Sequence, residues 1–151
     1  MHLFEEFFKI VREFQNHKVS YAVVGGIAMA FHDEPRFTRD IDILIRPEDS
    51  VKVGAILESL GYSASAAPWK FKQTKLTLHR FLKIENEDHL VVDVLAGSDN
   101  RHREIIKNSL REKAGAGIVR IARKEDIIWM KQLRDSDQDR TDIRKLQNEQ
   151  D

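Results

Sequence analysis

The run Asp40-Ile41-Asp42-Ile43-Leu44-Ile45 constrains the fold more than any other stretch of the chain. Side chains of an extended strand alternate between faces, so Asp40 and Asp42 share one face while Ile41, Ile43 and Ile45 share the other. The wholly apolar end reads as a strand covered on both sides. Two carboxylates one pleat apart repel by roughly 1–4 kcal/mol, depending on the effective dielectric. They need either the open solvent of a sheet edge or a hard divalent cation bound through oxygen. A second run, Leu90-Val91-Val92-Asp93-Val94-Leu95, encloses one acid among five apolar residues. Buried alone, Asp93 would cost several kcal/mol, so it requires a basic side chain or a metal. If the two strands are neighbours, the three acids converge on one site.

The remaining pattern predicts an α/β (α+β) protein: a mixed sheet of about five strands with flanking N- and C-terminal helices. Leu3, Phe4, Phe7, Ile10, Val11 and Phe14 recur at helical spacing over residues 3–15. Tyr21 to Val24 reads as a short buried strand running into Gly25-Gly26, and Ile27 to Phe31 as a helix broken at Asp33-Glu34-Pro35. Val53, Ile56, Leu57 and Leu60 mark a helix closed by Gly61. Residues 62–75 carry no single clear pattern. Leu76 to Ile84 and Leu90 to Leu95 read as strands joined by the turn Glu85-Asn86-Glu87-Asp88. Residues 99–112 are predicted helical, 118–122 a last strand, and 124–134 and 139–148 two closing helices. No repeat or linker interrupts the pattern, so 1–151 reads as one domain, with a core over about 20–122 and a helix pair over about 124–148.

Composition removes several chemistries. The chain has no cysteine, which excludes disulfides, thiolate metal sites and cysteine nucleophiles. Its 25 basic and 25 acidic residues cancel, so any polyanion must be held by a local patch. No run of apolar residues is long enough to span a bilayer, and acids at Glu5-Glu6 interrupt what a signal peptide would need. A soluble, cytoplasmic protein without membrane contact is expected. His79, His89 and His102 lack the spacing of a helical zinc site and read as ordinary surface or packing residues. Trp69, Lys70, Phe71, Lys72 and Lys75 interleave aromatics with charge, as a solvated strand or loop, or an acceptor surface for a base or RNA end, would.

Gly25-Gly26 between strand and helix permits close backbone approach to a phosphate, or serves simply as a tight turn. After thirteen intervening residues come Asp40-Ile41-Asp42, and then Asp93 on a later strand. This succession resembles the nucleotidyltransferase superfamily related to DNA polymerase β. The wording Pro35-Arg36-Phe37-Thr38-Arg39-Asp40-Ile41-Asp42 is most similar to the AbiEii-type branch of toxin–antitoxin and abortive-infection systems.

The resemblance implies that Gly25 and Gly26 hold the triphosphate of a nucleoside triphosphate. It makes Asp40, Asp42 and Asp93 ligands of Mg²⁺, two ions in all, with Asp93 the base toward the incoming hydroxyl. Thr38 and Arg39 would touch phosphate. Lys131 falls where relatives carry a lysine near the triphosphate, or is an exposed lysine on a helix. Asp139 and Asp142 match acids of relatives, or lie on a solvated helix face. An arginine between that lysine and those acids has no clear counterpart, since Ser136-Asp137 occupies the stretch. Asp126 is accounted for by the dipole at a helix start. The implied activity is Mg-dependent transfer of a nucleoside monophosphate to a hydroxyl of RNA, protein or a small molecule, with an antitoxin-type partner. The alternative is a non-catalytic nucleotide-binding or docking module, toward which the short C-terminal region points.

Overall fold

The computed structural model describes residues 1–32, 39–115 and 117–148. Helix α1 (Leu3–Asn16) buries Phe7, Ile10, Val11 and Phe14, the stripe expected from its spacing. Strand β1 (Tyr21–Val24) is fully buried and runs directly into α2 (Gly25–Phe31). Strand β2 (Asp40–Ile45) follows, then a 3-10 turn at Pro47–Asp49 and α3 (Ser50–Ser59). The helix break read at Asp33-Glu34-Pro35 lies outside the described residues.

Residues 62–75 hold two short strands, β3 (Ser63–Ala64) and β4 (Trp69–Phe71), both laid along β5 (Leu76–Glu85). Two and three residues long, they are too brief for an alternating pattern to register. β5 forms a ten-residue hairpin ladder with β6 (Asp88–Gly97). Its turn uses a left-handed conformation at Asn86, which asparagine tolerates better than most residues. Helix α4 (Asn100–Lys107) starts at Asp99, whose side chain accepts from the Arg101 N–H at 2.8 Å while its own N–H donates to His102 Nδ1. The helix predicted over 99–112 stops short, because Leu110–Ala114 is strand β7, paired antiparallel with β8 (Gly117–Ile121). A pairing partner overrides the helical propensity of Arg111, Glu112 and Lys113. Helices α5 (Lys124–Arg134) and α6 (Asp137–Asn148) close the fold.

The strands make one eight-stranded mixed sheet in the order β3-β5-β6-β2-β1-β8-β7, with β4 beside β5, rather than about five strands. The three short or hairpin strands β3, β4 and β7 account for the difference. Ile41, Ile43 and Ile45 of β2 and Val92 and Val94 of β6 are buried in the core. Among the described residues no helix is long and apolar enough to cross a membrane.

A charged tie fixes α1 to the strand beside the candidate site. The buried Glu6 carboxylate accepts from Lys83 Nζ at 2.8 Å, from the Tyr62 hydroxyl at 2.9 Å and from Lys9 Nζ at 3.1 Å. Burial would push the Glu6 carboxyl up, but these three donors outweigh it and hold its pKa below the ordinary value. Removing one partner of such a pair leaves a buried charge uncompensated. Lys83→Met should therefore lower stability by on the order of 3 kcal/mol. Urea unfolding of the two proteins measures this, and Tyr62→Phe should cost only about 1 kcal/mol, the scale of one hydrogen bond.

Candidate active site

The parallel pairing of β2 with β6 sets Asp42 opposite Asp93, and the antiparallel pairing of β5 with β6 sets Arg80 opposite Asp93 from the other side. Partners in register point to the same face, so Arg80, Asp93 and Asp42 form one row across three strands. Val24 of β1 continues the row. Adjacent strands lie about 5 Å apart, so these side chains are within mutual reach. Asp40 stands one pleat earlier on the same face, opposite Val91.

Asp93 is only 7% exposed, and the partner it requires is Arg80. Arg80 Nε donates to Asp93 Oδ1 at 2.8 Å and Nη2 to Oδ2 at 3.0 Å, a bidentate pair. These bonds raise the guanidinium pKa against the opposing effect of burial, and the charges of Asp40 and Asp42 add to the rise. Arg80 therefore feels all three acids. Among the described residues, no three carboxylates or histidines gather as a ready metal cage. The donor set still suits Mg²⁺, since Asp42 and its neighbours offer hard carboxylate oxygens, and each Asp93 oxygen keeps a second lone pair beside the one that accepts from Arg80.

Gly25 has a structural reason that is specific to this site. Its φ is +73°, and a Cβ built there would lie 2.0 Å from Asp42 Oδ2. The Asp42 carboxylate thus rests directly against the Gly25 backbone, where any larger residue would displace it. Gly26 is buried in the first turn of α2.

The helix pair supplies a second charged layer. Lys131 of α5 is buried, donating to Asp142 Oδ2 at 2.9 Å with Asp139 Oδ1 at 3.7 Å. Asp139 and Asp142 are fully buried, so neither the exposed-lysine reading nor the solvated-face reading holds. Arg134, one turn from Lys131, makes a bidentate pair with Asp139 at 2.8 and 2.6 Å. It lies between the lysine and the acids, a stretch in which the sequence offered no clear arginine. The signal was present in Ser136-Asp137-Gln138-Asp139, a capping box in which the Ser136 hydroxyl donates to Asp139 Oδ2 at 2.7 Å and accepts the Asp139 N–H at 3.0 Å. The cap aims Asp139 back at α5.

Part of this set lines one cleft of about 280 Å³, whose lining does not include Gly26, Asp40, Asp139 or Asp142. Gly25, Asp42 and Val24 form one side, Arg80 and Asp93 the floor, and Lys131, Arg134 and Met130 the α5 side. Trp69, Phe71, Leu76 and Leu78 form the far side. Not every residue singled out in the sequence reaches it. Arg39 pairs with Asp88 and donates to the His89 carbonyl at 3.2 Å, near the start of β6, and does not line the cleft. Thr38 lies outside the described residues. Asp126 is partly buried against Arg101 at 3.4 Å, so more than a helix dipole holds it. His102 is buried rather than on the surface, packed edge-on to Trp129.

The Asp139 carboxyl is pushed up by burial, yet Arg134 and Ser136 together outweigh that and bring it to about 2. A depressed folded pKa contributes stability above the unfolded value, lost as pH falls through the folded one. Asp139→Asn should cost about 2–3 kcal/mol at neutral pH, the stability that goes with its depressed pKa, since the half-exposed Arg134 left behind is solvated. The gap between parent and variant should shrink as pH falls from about 4 toward 2. Urea unfolding across that range checks both statements.

Several known proteins are similar to this chain in sequence or fold. The family model described as aminoglycoside-2″-adenylyltransferase matches residues 6–90, more than half of the chain. No curated protein sequence matches the chain. Among solved structures, a Thermotoga maritima protein assigned as a nucleotidyltransferase aligns over 97% of this chain and 92% of its own, at 18% identity and a TM-score of 0.68. The lincosamide antibiotic adenylyltransferase LnuA, solved with lincomycin bound, aligns over 95% of each chain at 19% identity and a TM-score of 0.55. ANT(2″)-Ia, solved with adenylyl-2″-tobramycin, aligns over 82% of this chain and 70% of its own at 21% identity and a TM-score of 0.51. At such identities the structural likeness establishes the fold, and the family model establishes the lineage. The chain belongs to the aminoglycoside-2″-adenylyltransferase family, within the nucleotidyltransferase superfamily.

Proposed function

We propose that the protein transfers a nucleoside monophosphate, with AMP the first candidate, from a nucleoside triphosphate to a hydroxyl of a small molecule. The observation that carries this reading is Asp93 in register with Asp42, in a cleft where Asp42 rests on Gly25. Family membership and the small-molecule acceptors named for LnuA and ANT(2″)-Ia support it.

Gly25 and Gly26 present backbone to the triphosphate, and Lys131 and Arg134 place positive charge on the opposite wall. The acceptor oxygen attacks the α-phosphorus, the bond from that phosphorus to the bridging oxygen breaks, and pyrophosphate leaves with the electron pair. Asp93 takes the hydroxyl proton. Two magnesium ions held by Asp40, Asp42 and Asp93 would neutralise the triphosphate and favour pyrophosphate departure. Arg80 occupies one lone pair on each Asp93 oxygen and leaves the others for the proton or a metal ion. The Arg80 side chain is 43% exposed, which leaves its outer face open toward an incoming phosphate.

The AbiEii-type motif wording instead favours an RNA end or protein as acceptor and an antitoxin-type partner. The protein incubated with each α-labelled triphosphate, Mg²⁺ and separate pools of hydroxylated small molecules, RNA and protein decides the acceptor. Label on the small-molecule pool is expected; label only on RNA or protein would move the assignment to the toxin type. Bound nucleotide with no transfer to any pool would leave a binding module. Asp93→Asn should bind Mg²⁺–nucleotide within a few-fold of the parent yet lose on the order of 10²–10⁴ in rate. Asp42→Asn should lose Mg²⁺-dependent nucleotide affinity and turnover together, measured by calorimetry and by label release.

A further inference from the structure

The two ends of the cleft differ in chemistry, and the strand order says which end faces the acceptor. From Gly25, the row runs through Asp42 on β2 and Asp93 on β6 to Arg80 on β5, with β4 beyond. One pleat along, Leu95, Leu78 and Trp69 make a parallel row across β6, β5 and β4, and Phe71 opposite Leu76 begins the next. Leu76, Leu78 and Leu95 are buried, whereas Trp69 is 50% exposed and packs edge-on against Phe71 at 5.6 Å. An exposed tryptophan held by a neighbouring ring on a sheet edge presents a fixed aromatic face at little entropic cost.

Charge does not distinguish the two ends, because each cation on the lining already has a carboxylate partner: Arg80 pairs with Asp93, Lys131 with Asp142 and Arg134 with Asp139. The apolar and aromatic end is therefore what separates one acceptor from another.

We propose that Trp69, Phe71, Leu76 and Leu78 form the acceptor subsite, and that the acceptor is a hydroxylated molecule with an apolar or planar face. This rests on the nucleotidyl-transfer reading above. In an in-line displacement the attacking hydroxyl enters opposite the leaving pyrophosphate. With the triphosphate on the Gly25 side, the entering group lies beyond Asp93, along the Trp69 wall.

Phenyl β-D-glucoside, neutral with one planar face, and tobramycin, a polycation, serve as probes. Both are titrated by calorimetry into the parent, Trp69→Ala and Trp69→Phe proteins saturated with Mg²⁺–ATP, and each is then tested for label transfer from α-labelled ATP. Phenyl glucoside should bind the parent and accept label. Trp69→Ala should weaken its binding about ten-fold, the scale of one lost aromatic contact, and Trp69→Phe should restore most of it. ATP affinity, titrated separately, should stay within about two-fold in all three proteins, since the wall lies outside the proposed triphosphate side. A comparable loss of ATP affinity in Trp69→Ala would overturn the proposal by assigning the wall to the nucleotide base. Tobramycin, which has no planar face, accepting label better than phenyl glucoside would overturn it, with the transfer reading intact. Phenyl glucoside bound at the wall with no label passing to any acceptor would sink the transfer reading and the acceptor role together.

Discussion

The site depends on holding two carboxylates side by side at the edge of an apolar core. Asp42 and Asp93 face each other across a parallel strand pair whose partners Ile41, Ile43, Leu44, Ile45, Val92, Val94 and Leu95 are buried. Two such charges repel by roughly 1–4 kcal/mol before any cost of burial is counted. Two compensations are visible. Arg80 closes on both oxygens of Asp93 from the next strand, and Gly25 withdraws its side chain so that Asp42 lies against backbone. Neither removes the repulsion; both leave the carboxylates held in register, which is the condition a bound cation would relieve most.

The helix pair repeats the device one layer out. Lys131 and Arg134 reach Asp139 and Asp142, two acids with no exposed surface. Buried ion pairs of this kind seldom stabilise more than apolar packing of the same volume would, although breaking one is expensive. Their presence is better explained by placement than by stability. The acids fix the angle at which a lysine and an arginine project from α5 toward the cleft, and Arg134 is near enough for Asp42 to raise its pKa as well. Acids under the cations and acids under the strands thus bracket a cleft with cations at its rim.

Much of this was legible in the chain, and the reasons differ by element. The Asp-Ile-Asp spacing declared a face because strand periodicity is strict. Asp93 declared a need for a partner, but nothing in its own strand named Arg80, since that pairing depends on the register of a ten-residue hairpin. Arg134 was hidden by the turn after it: Ser136-Asp137 looked like an interruption, while the Ser136 cap is what turns Asp139 toward α5. β3 and β4 were invisible because two or three residues carry no pattern, and β7 because Arg111, Glu112 and Lys113 suit a helix when no partner strand is known. Arg39 adjoins the motif in sequence, yet Asp88 draws its side chain to the start of β6.

The family match ends at residue 90, three residues before Asp93 and well before Lys131 and Arg134. Lineage therefore covers the glycine turn, the Asp40–Asp42 strand and the whole Trp69 wall, while the third acid and the cationic rim enter through geometry alone. A fold shared by adenylyltransferases with acceptors as unlike as lincomycin and tobramycin cannot itself decide the acceptor. That choice has to reside in side chains which can change without disturbing the Arg80–Asp93–Asp42 row. The β4 strand satisfies this condition: it is three residues long, hangs on β5 at one edge of the sheet, and exposes half of Trp69. Replacing its side chains alters one wall of the cleft and leaves the carboxylate register to β2 and β6.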